Sequence, residues 1–317
     1  MSVSNAAHGH GELIEHPLVY IIMLNWNSWR DTLECLGSLE QLDYPNYRVL
    51  VVDNGSTDGS EKRIREAYPE IELIQTGANL GYAGGNNVGI RHALSHGAAY
   101  VLVINPDVLV ERRTLTTLVE VALRHPQIGA LSPVVRFKDK HELVWFGGSV
   151  IHWQEGRAGH TPIQAQGEIY QTCAWACGCC LLVSAEALLE VGLFDQRYFM
   201  YYEETDLCQR ISRAGHIVGV CLVANVFHRL SDGEMAKHST PSFIYYMTRN
   251  SLLFFLRYAN WHGVSRVQLL WSLYRRYLLN RNVVRALRCH QPAALARFRA
   301  CVDFTFGRYG ASQKYSR

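Results

Sequence analysis

The stretch YVLVINPDVLV, residues 100–110, combines a strand pattern with polar side chains at its end. Residues 101–104 are a continuous run of Val, Leu and Ile, which is typical of a strand buried on both faces of a parallel sheet. Asn105 and Asp107 follow directly, around Pro106. In an open parallel sheet, ligands bind just outside the carboxyl ends of the strands. The stretch therefore predicts a parallel sheet that has Asn105 and Asp107 at its ligand-binding edge.

Three further apolar runs precede this one, at residues 19–24, 49–52 and 71–74. Helical patterns lie between them: DTLECLGSLEQL carries a stripe of leucines, and DGSEKRIREAYP is a charged helix stopped by proline. The first two runs are about 30 residues apart, the spacing of a βαβ unit. The sequence therefore predicts an α/β fold with a mostly parallel sheet flanked by helices.

Two of the other predicted strands also end in polar side chains, Asn25 and Asp53. Asp53 lies in VVDNGSTDGS, where Asn-Gly makes a tight turn and Ser, Thr and Asp can cap the next helix. A plain strand–turn–helix junction explains most of this stretch. Asp53 precedes the turn and is not needed for capping, so a ligand role is the preferred interpretation.

The stretch NLGYAGGNNVG, residues 79–89, holds four glycines without the GxGxxG spacing of a dinucleotide-binding loop. A Rossmann dehydrogenase is therefore disfavoured. Glycines here would let the backbone approach a ligand closely, and the alternative is a flexible loop before a helix.

Asp107 is a candidate metal ligand, because Mg²⁺ is commonly held by one or two carboxylates together with substrate phosphates. The alternative is a structural Asn-Pro-Asp turn. His228 ends the apolar stretch VGVCLVANVF and shares strand parity with Val226. Its position at a strand end indicates a metal or phosphate contact, with a core or edge histidine as the alternative.

The stretch FMYYEETDLCQRISRAGH, residues 199–216, places Glu203, Glu204 and Asp206 in the first turn of a helix that ends near Gly215. Acids in a first turn often do no more than complement the helix dipole. Three acids in four positions, after four aromatic or Met residues, exceed what capping requires. An apolar surround would raise a carboxyl pKa and suit the group to act as a general base.

Composition limits the remaining choices. The first 17 residues do not have the pattern of a secretory signal and are predicted to be a flexible tail, and no apolar run approaches the roughly 20 residues of a membrane span. Nine cysteines without an export signal indicate free thiols in a reducing cytoplasm. The group Cys173, Cys177, Cys179 and Cys180 lacks a second ligand pair, so packing in a buried strand is favoured over a zinc site.

Charge is distributed unevenly along the chain. From Phe243 onward there are 13 Lys or Arg and one acid, Asp303, a balance of +12, whereas the whole chain is only +3. This aromatic and basic region, residues 243–317, is predicted to be helical and to follow a linker at LSDGE near residue 232. It suits the surface of an anionic membrane, and the alternative is a basic face on helices that pack against the preceding domain.

Taken in order, these motifs resemble glycosyltransferase family 2, in particular its bacterial rhamnosyltransferase-like members. The resemblance rests on NWN after the first strand, VVDNGSTDGS, NLGYAGGNN, the NPD variant of the DXD motif, GLFDQRYFMYYEETDLCQR and the later His228. It covers residues 18 to about 230. The C-terminal region resembles the family less distinctly.

The resemblance implies a GT-A type fold at residues 18–232, with a nucleotide-sugar-binding half at 18–110 and an acceptor-binding half at 111–232. Asp107 and His228 would hold Mg²⁺ or Mn²⁺ on the donor diphosphate, and Glu204 would be the base, with Glu203 and Asp206 as alternates. Two departures stand out: Glu204 occupies the place of the usual Asp base, and Asn105 that of the first Asp of DXD. The residues implied for nucleotide-sugar binding are Asn25, Asp53, Asn79, Gly81, Gly84, Asn86 and Asn105.

The function implied is inverting transfer of a sugar from a nucleotide-diphosphate donor to a hydroxyl of a glycan or lipid-diphosphate-linked acceptor, in cell-surface polysaccharide synthesis. The favoured donor is dTDP-rhamnose and the alternative a UDP-sugar. The expected location is cytoplasmic, peripheral on the inner face of the membrane. The rival hypotheses are a sugar nucleotidyltransferase, a non-catalytic scaffold and a nucleic-acid binder. The last is disfavoured because no known module is visible and acids line the presumed site.

Overall fold

A computed structural model describes residues 16–164, 167–229 and 240–316. Almost all of the predicted N-terminal tail and the whole LSDGE stretch lie outside these residues.

A ten-stranded sheet forms the centre of the described chain. The strands are β1 (Val19–Asn25), β2 (Tyr47–Asp53), β3 (Glu72–Gln75), β4 (Tyr100–Ile104), β5 (Val108–Val110), β6 (Ile128–Phe137), β7 (Lys140–Phe146), β8 (Ser149–His152), β9 (Arg157–His160), β10 (Tyr170–Thr172), β11 (Cys180–Ser184) and β12 (Ile217–His228). The order in the sheet is β10-β12-β6-β11-β4-β1-β2-β3, with β5 on β12 and β7 on β6. Six of its strands (β3, β2, β1, β4, β6 and β12) run in one direction, and a separate hairpin pairs β8 with β9.

Helices cover the sheet and continue beyond it. They are α1 (Trp29–Leu39), α2 (Ser60–Ala67), α3 (Gly81–Ser95), α4 (Thr114–Arg124), α5 (Ala185–Val191), α6 (Glu203–Arg213), α7 (Pro241–Tyr258), a 3-10 turn (Ala259–His262), α8 (Arg266–Tyr277), α9 (Arg281–Arg288) and α10 (Pro292–Thr305). All of the predicted apolar runs form strands. Together, the mixed, mostly parallel sheet and the helices after it confirm the predicted fold class.

The parallel strands β1, β2 and β4 bring their carboxyl ends to one edge of the sheet. In the register of β1 with β2, Asn25 lies opposite Asp53, and in that of β1 with β4, Met23 lies opposite Ile104. Residues 19–23 are fully buried, as the continuous apolar pattern predicts. The polar strand ends therefore lie together at this edge.

The second half of the sheet adds His228 to the same edge. Strand β11 runs antiparallel between β4 and β6, and the end of β12 pairs with β5, so that His228 lies opposite Val108, the residue after Asp107. An irregularity between Cys221 and Asn225 interrupts the strand parity on which the sequence argument relied. His228 is nevertheless buried at the strand end.

The C-terminal helices pack on the sheet domain, which is one of the two alternatives that the sequence left open. On α7, Leu252, Phe254 and Phe255 share a core with Tyr198, and Tyr245 and Tyr246 share another with Phe199. None of the described helices is long and apolar enough to cross a membrane. All nine cysteines are free thiols, and Cys177 Sγ lies 3.4 Å from Cys179 Sγ.

Candidate functional site

Asp53 presents one unpaired carboxylate oxygen at the sheet edge. Its side chain is fully buried; Oδ1 accepts a 2.8 Å hydrogen bond from the Ser56 backbone N–H, whereas Oδ2 has no hydrogen-bond partner. Burying a carboxylate oxygen without a partner costs free energy, and such groups normally find one. The free oxygen therefore fits a donor group on a ligand.

Asn25 braces the loop beside Asp53. Its Nδ2 donates to Ser56 Oγ at 3.0 Å and its Oδ1 accepts from Thr32 Oγ1 at 2.9 Å. These bonds tie the end of β1 to the turn after β2 and to α1. Asn25 thus shapes the wall of the site through Ser56.

The glycine-rich stretch enters α3 at Gly81. Its start, here called the glycine loop (residues 79–81), is held in a single shape by amide side chains. Asn79 Oδ1 accepts from Asn54 Nδ2 and from the Gly81 N–H, at 3.1 and 2.9 Å. Gly81 has φ of +73°, and a Cβ on it would lie 2.4 Å from the Phe199 carbonyl oxygen. No other residue would fit there without displacing residue 199, so this loop is ordered and packs directly on the segment before the acidic helix.

Gly84 and Asn86 lie in the first two turns of α3. Asn86 Nδ2 donates to the Tyr82 carbonyl at 3.0 Å, and its buried Oδ1 has no partner. A Cβ on Gly84 would lie 2.8 Å from Leu80 Cβ, so the glycine allows the tight first turn of the helix.

Asp107 and His228 meet where β5 pairs with β12. His228 Nε2 lies 3.2 Å from Asp107 Oδ1, yet Oδ1 and both ring nitrogens of the buried histidine have no aligned hydrogen bond. A carboxylate and an imidazole that converge without bonding each other suit a shared cation. In the described ranges no group of three or more His, Cys, Asp or Glu could hold a metal by itself, so further ligands would have to come from substrate and water.

Asn105 links this pair to the opposite wall of the site. Its backbone N–H donates to the Cys179 carbonyl at 2.9 Å. The neighbouring Gly178 carbonyl accepts from Tyr82 Oη at 2.7 Å, and a Cβ on Gly178 would lie 3.3 Å from Glu204 Cγ. Glu204 is thereby connected to Asn105 and Asp107 through the residues that lead into β11.

Glu203 and Glu204 are adjacent, poorly hydrated carboxyl groups at the N-terminus of α6. Glu203 is 5% exposed, and Oε2 of each side chain is buried without a partner. Burial raises the pKa of Glu203 well above its usual value, and the nearby Glu204 raises it further. Burial also raises the pKa of Glu204, against backbone hydrogen bonds that lower it. Both groups have the raised affinity for a proton that suits a general base.

Asp206, the third acid of this turn, is occupied by the protein itself. It is fully buried, and its carboxylate accepts from Tyr198 Oη at 3.1 Å, Tyr258 Oη at 2.9 Å, Arg210 Nε at 2.8 Å and Arg257 Nη1 at 2.8 Å. No lone carboxylate oxygen remains for a substrate. The geometry therefore favours Glu204 or Glu203 over Asp206 as a base.

The acids follow a strained turn, here called the aromatic segment (residues 198–202). Phe199, Tyr201 and Tyr202 have φ of +66°, +68° and +71°. For bulky side chains each such conformation costs on the order of 1–3 kcal/mol and persists only where its surroundings impose it. The aromatic segment therefore needs an external support.

That support is a pair of polar residues on α7, here called the Arg249–Asn250 clamp. Both side chains are fully buried. Asn250 Nδ2 donates to the carbonyls of residues 198, 200 and 201 at 2.9, 2.7 and 2.9 Å, and Arg249 Nη2 donates to those of residues 197 and 198 at 3.1 and 2.9 Å. Asn250 Oδ1 accepts from Arg249, which orients the amide.

The unpaired buried atoms are concentrated at the predicted site. Among the described residues, nine buried side-chain N or O atoms lack a hydrogen-bond partner, and seven of them belong to six residues predicted from sequence. This concentration indicates a ligand site, because unpaired buried polar atoms are otherwise rare. The six residues are Asp53, Asn86, Asp107, Glu203, Glu204 and His228.

Comparison with known proteins now fixes the family. A model of glycosyl transferase family 2 matches residues 20–192, more than half of the chain. The chain belongs to glycosyltransferase family 2. It is 31% identical to the N-acetylglucosaminyl-diphospho-decaprenol L-rhamnosyltransferase of Mycobacterium tuberculosis, over 75% of this chain and 83% of that protein. It is 25% identical to rhamnosyltransferase WbbL of Escherichia coli, over 87% of this chain and 100% of that one.

Solved structures are similar to this family 2 glycosyltransferase in fold. The mannosyltransferase PcManGT of Pyrobaculum calidifontis, in complex with GDP-Man and Mn²⁺, has a TM-score of 0.57 at 18% identity, covering 93% of this chain and 89% of that chain. Family and relatives confirm the predicted rhamnosyltransferase-like glycosyltransferase of cell-surface polysaccharide synthesis. The roles of individual site residues stay predictions.

The clamp was not predicted from the sequence, although a signal for it existed. Arg249 and Asn250 interrupt the apolar helical run SFIYYMTRNSLLFFLRYA, and adjacent polar residues inside a buried helix require specific partners. Asn87 was missed too: its amide donates to the Phe194 carbonyl at 2.8 Å and accepts from the Phe194 N–H at 3.0 Å.

Removing the clamp amide should misplace the acids. Asn250→Ala loses three hydrogen bonds to the aromatic segment and two from Arg249, so we expect the free energy of unfolding to fall by about 1–3 kcal/mol and kcat to fall by roughly 100-fold. The donor KM should change little. Calorimetry and steady-state kinetics measure these effects, with Asn282→Ala on the exposed surface of α9 as the control. An unchanged kcat in the folded variant would contradict the positioning role.

Replacing the buried acid at position 203 should stabilise the protein at neutral and higher pH. Since burial raises the folded-state pKa of Glu203, its contribution to stability is present below the usual Glu pKa and is lost as pH rises through the raised value. Glu203→Gln removes this loss. We expect its melting temperature to exceed that of the wild type by roughly 2–4 °C per kcal/mol regained, with no difference in acid. A difference in melting temperature between Glu203→Gln and the wild type that narrows with rising pH would refute the raised pKa of Glu203.

Proposed function

We propose that this protein is an inverting, metal-dependent rhamnosyltransferase that uses dTDP-rhamnose and a lipid-diphosphate-linked glycan acceptor. The observation that carries the proposal is that Asp53, Asp107 and His228 have unpaired buried atoms at one edge of the sheet, and that Glu204 has another at the start of α6. These side chains supply a nucleotide contact, two ligands for a cation, and a base. The favoured sugar and acceptor are supported by relatives whose names specify rhamnose transfer, one of them to a sugar on diphospho-decaprenol.

The donor nucleotide would bind between the end of β2 and the glycine loop. Asp53 Oδ2 would accept a hydrogen bond from the base or ribose, and Asn86 Oδ1 would accept another, since both atoms are buried and unpaired. Asn25 and Asn79 would keep the walls of this pocket in place through their bonds to Ser56 and Gly81. The donor diphosphate would then lie toward Asp107.

Asp107 and His228 fit a divalent cation as two of its ligands, with diphosphate oxygens and water completing the set. Mg²⁺ or Mn²⁺ bound there would neutralise charge on the leaving nucleoside diphosphate. The Mn²⁺ in the PcManGT structure agrees with this assignment. Asn105 in place of an Asp leaves Asp107 as the one carboxylate of the motif.

Glu204 would remove the proton from the acceptor hydroxyl, whose oxygen then attacks the anomeric carbon opposite the diphosphate. A single displacement of this kind inverts the configuration. Burial raises the pKa of Glu204, so the ionised form should be lost at a higher pH than for an exposed Glu. Activity should therefore fall on the acid side at a pH above the usual Glu pKa of about 4.3.

A donor panel tests the proposal. We expect dTDP-rhamnose to raise the melting temperature only with Mg²⁺ or Mn²⁺, and Asp107→Ala to abolish the shift; UDP- and GDP-sugars are the comparison. Turnover should release nucleoside diphosphate, since pyrophosphate would indicate a nucleotidyltransferase. A shift that is independent of metal, or unaffected in Asp107→Ala, contradicts the metal assignment.

The base is tested separately. Glu204→Gln should keep the donor-induced shift and lower kcat by roughly 10²- to 10⁴-fold, and the wild-type product should show inverted configuration by NMR. Glu203→Gln makes the same change at the alternate base one residue away, and it should keep most of the turnover if Glu204 is the base. Retained configuration, or wild-type turnover in Glu204→Gln, would exclude this mechanism.

The outer face of α8 and the residues after it would rest on an anionic membrane. Val267 and Trp271 are 77% and 61% exposed and lie one turn apart, and Leu279 is 53% exposed. Arg266, Arg275 and Arg281 are exposed on the same stretch of chain. Exposed apolar and basic side chains together suit an anionic lipid surface. This contact would bring the protein to the membrane that holds the proposed lipid-linked acceptor.

Vesicle flotation tests the membrane contact. The protein should float with phosphatidylglycerol vesicles and not with phosphatidylcholine vesicles, and less so in high salt. Val267→Ser with Trp271→Ser should weaken flotation without changing donor binding. Equal flotation with both kinds of vesicle, or no flotation with either, would rule out the proposed contact with an anionic membrane.

A further inference from the structure

Beside the acidic helix lies a second cavity, of about 370 Å³, between the aromatic segment and the C-terminal helices. Tyr202, the residue before Glu203, lines it on one side. Burial raises the pKa of Tyr202, and its neighbours Tyr277 and Glu204 raise it further. The Tyr202 hydroxyl therefore lies near Tyr277, which also lines the cavity, and near Glu204, the proposed base. The cavity thus adjoins the place where the acceptor hydroxyl must bind.

The lining of the cavity is apolar on one side. Phe243, Ile244 and Met247 of α7 form this side. Ile244 also packs against the core that Tyr245 and Tyr246 share with Phe199, and the Phe243 ring contacts that of Tyr201. Phe243, Ile244 and Met247 are only partly buried, although they are large and apolar. They offer a surface to a hydrocarbon chain.

The other side of the cavity is polar and carries a cation. Thr248, Tyr277 and Arg297 complete the lining. Arg297 is half-buried, and no hydrogen bond or ion pair joins it to any residue of the described ranges. By contrast, its neighbour Arg299 pairs with Asp303 at 2.9 Å. A guanidinium without an anion, next to hydroxyl groups, suits a phosphate group.

We infer that this cavity binds the prenyl diphosphate part of the acceptor: Arg297, Thr248 and Tyr277 take the diphosphate, and Phe243, Ile244 and Met247 take the first isoprene units. The inference rests on the proposed function and names the acceptor subsite for it. A volume of about 370 Å³ lies at the low end of small-molecule sites. It holds a diphosphate and a short hydrocarbon, and the rest of a long polyprenol would stay in the bilayer.

This arrangement also places the acceptor sugar. With the diphosphate at Arg297 and the chain along α7, the sugar attached to the diphosphate extends past Tyr202 toward Glu204. Donor and acceptor diphosphates would occupy different sites, one with the cation and one with an arginine.

The test uses farnesyl diphosphate as the probe, with EDTA present so that the proposed metal site cannot hold it. We expect the wild type to bind it by isothermal titration calorimetry, and to bind pyrophosphate or farnesol at least tenfold more weakly. Arg297→Gln should weaken binding roughly tenfold or more, since hydrogen bonds to charged groups are among the stronger ones. Arg288→Gln, an identical change at an exposed position of α9, should have no effect.

Two further variants keep the outcomes distinct. Met247→Ser should weaken farnesyl diphosphate and leave pyrophosphate unchanged, and Asp107→Ala should leave both unchanged. Equal affinity in wild type and Arg297→Gln, or loss of binding in Asp107→Ala alone, overturns the inference. Metal-dependent stabilisation by the donor is measured on the same preparations: its presence without prenyl diphosphate binding refutes the acceptor subsite alone, whereas its absence refutes the proposed function.

Discussion

The hydrogen bonds between the Arg249–Asn250 clamp and the aromatic segment hold the site together. Three non-glycine residues with positive φ lie directly before the two buried glutamates, and no local preference keeps them there. The clamp satisfies the carbonyls that this conformation turns inward. The carbonyl of Phe199, in the same segment, accepts from the Ala83 N–H in the first turn of α3. One strained turn thus joins the start of α3, the acids and the C-terminal helices.

The site combines two kinds of support. The sheet fixes Asp53 through strand register, and Asp107 lies between the end of β4 and the start of β5. Glu203 and Glu204 stand on a helix whose start is set from outside the sheet. Keeping two carboxyl groups close together, buried and unpaired costs stability. The C-terminal region contributes two aromatic cores that offset this cost, which explains why a basic region packs so closely on a catalytic domain.

Much of the fold could be predicted because apolar periodicity is a local property. The runs at 19–24, 49–52 and 101–104 became buried parallel strands, and their polar ends became the site edge. The features that the sequence did not reveal depend on contacts between residues that are distant along the chain. Two of the four partners of Asp206, Arg257 and Tyr258, are about 50 positions away along the chain, so the sequence could not separate Asp206 from Glu204. Likewise, charge counting indicated a basic C-terminal surface but not that Arg249 lies fully buried inside it.

The order of the clamp and the aromatic segment along the chain has a consequence for biosynthesis. Residues 198–202 leave the ribosome before Arg249 and Asn250 are made, and domains generally form from the N-terminal end during synthesis. The sheet and its carboxyl edge can therefore assemble while the turn before the acids still lacks its support. The proposed base is held in place only after α7 docks, so the proposed donor site can form before the proposed base is positioned.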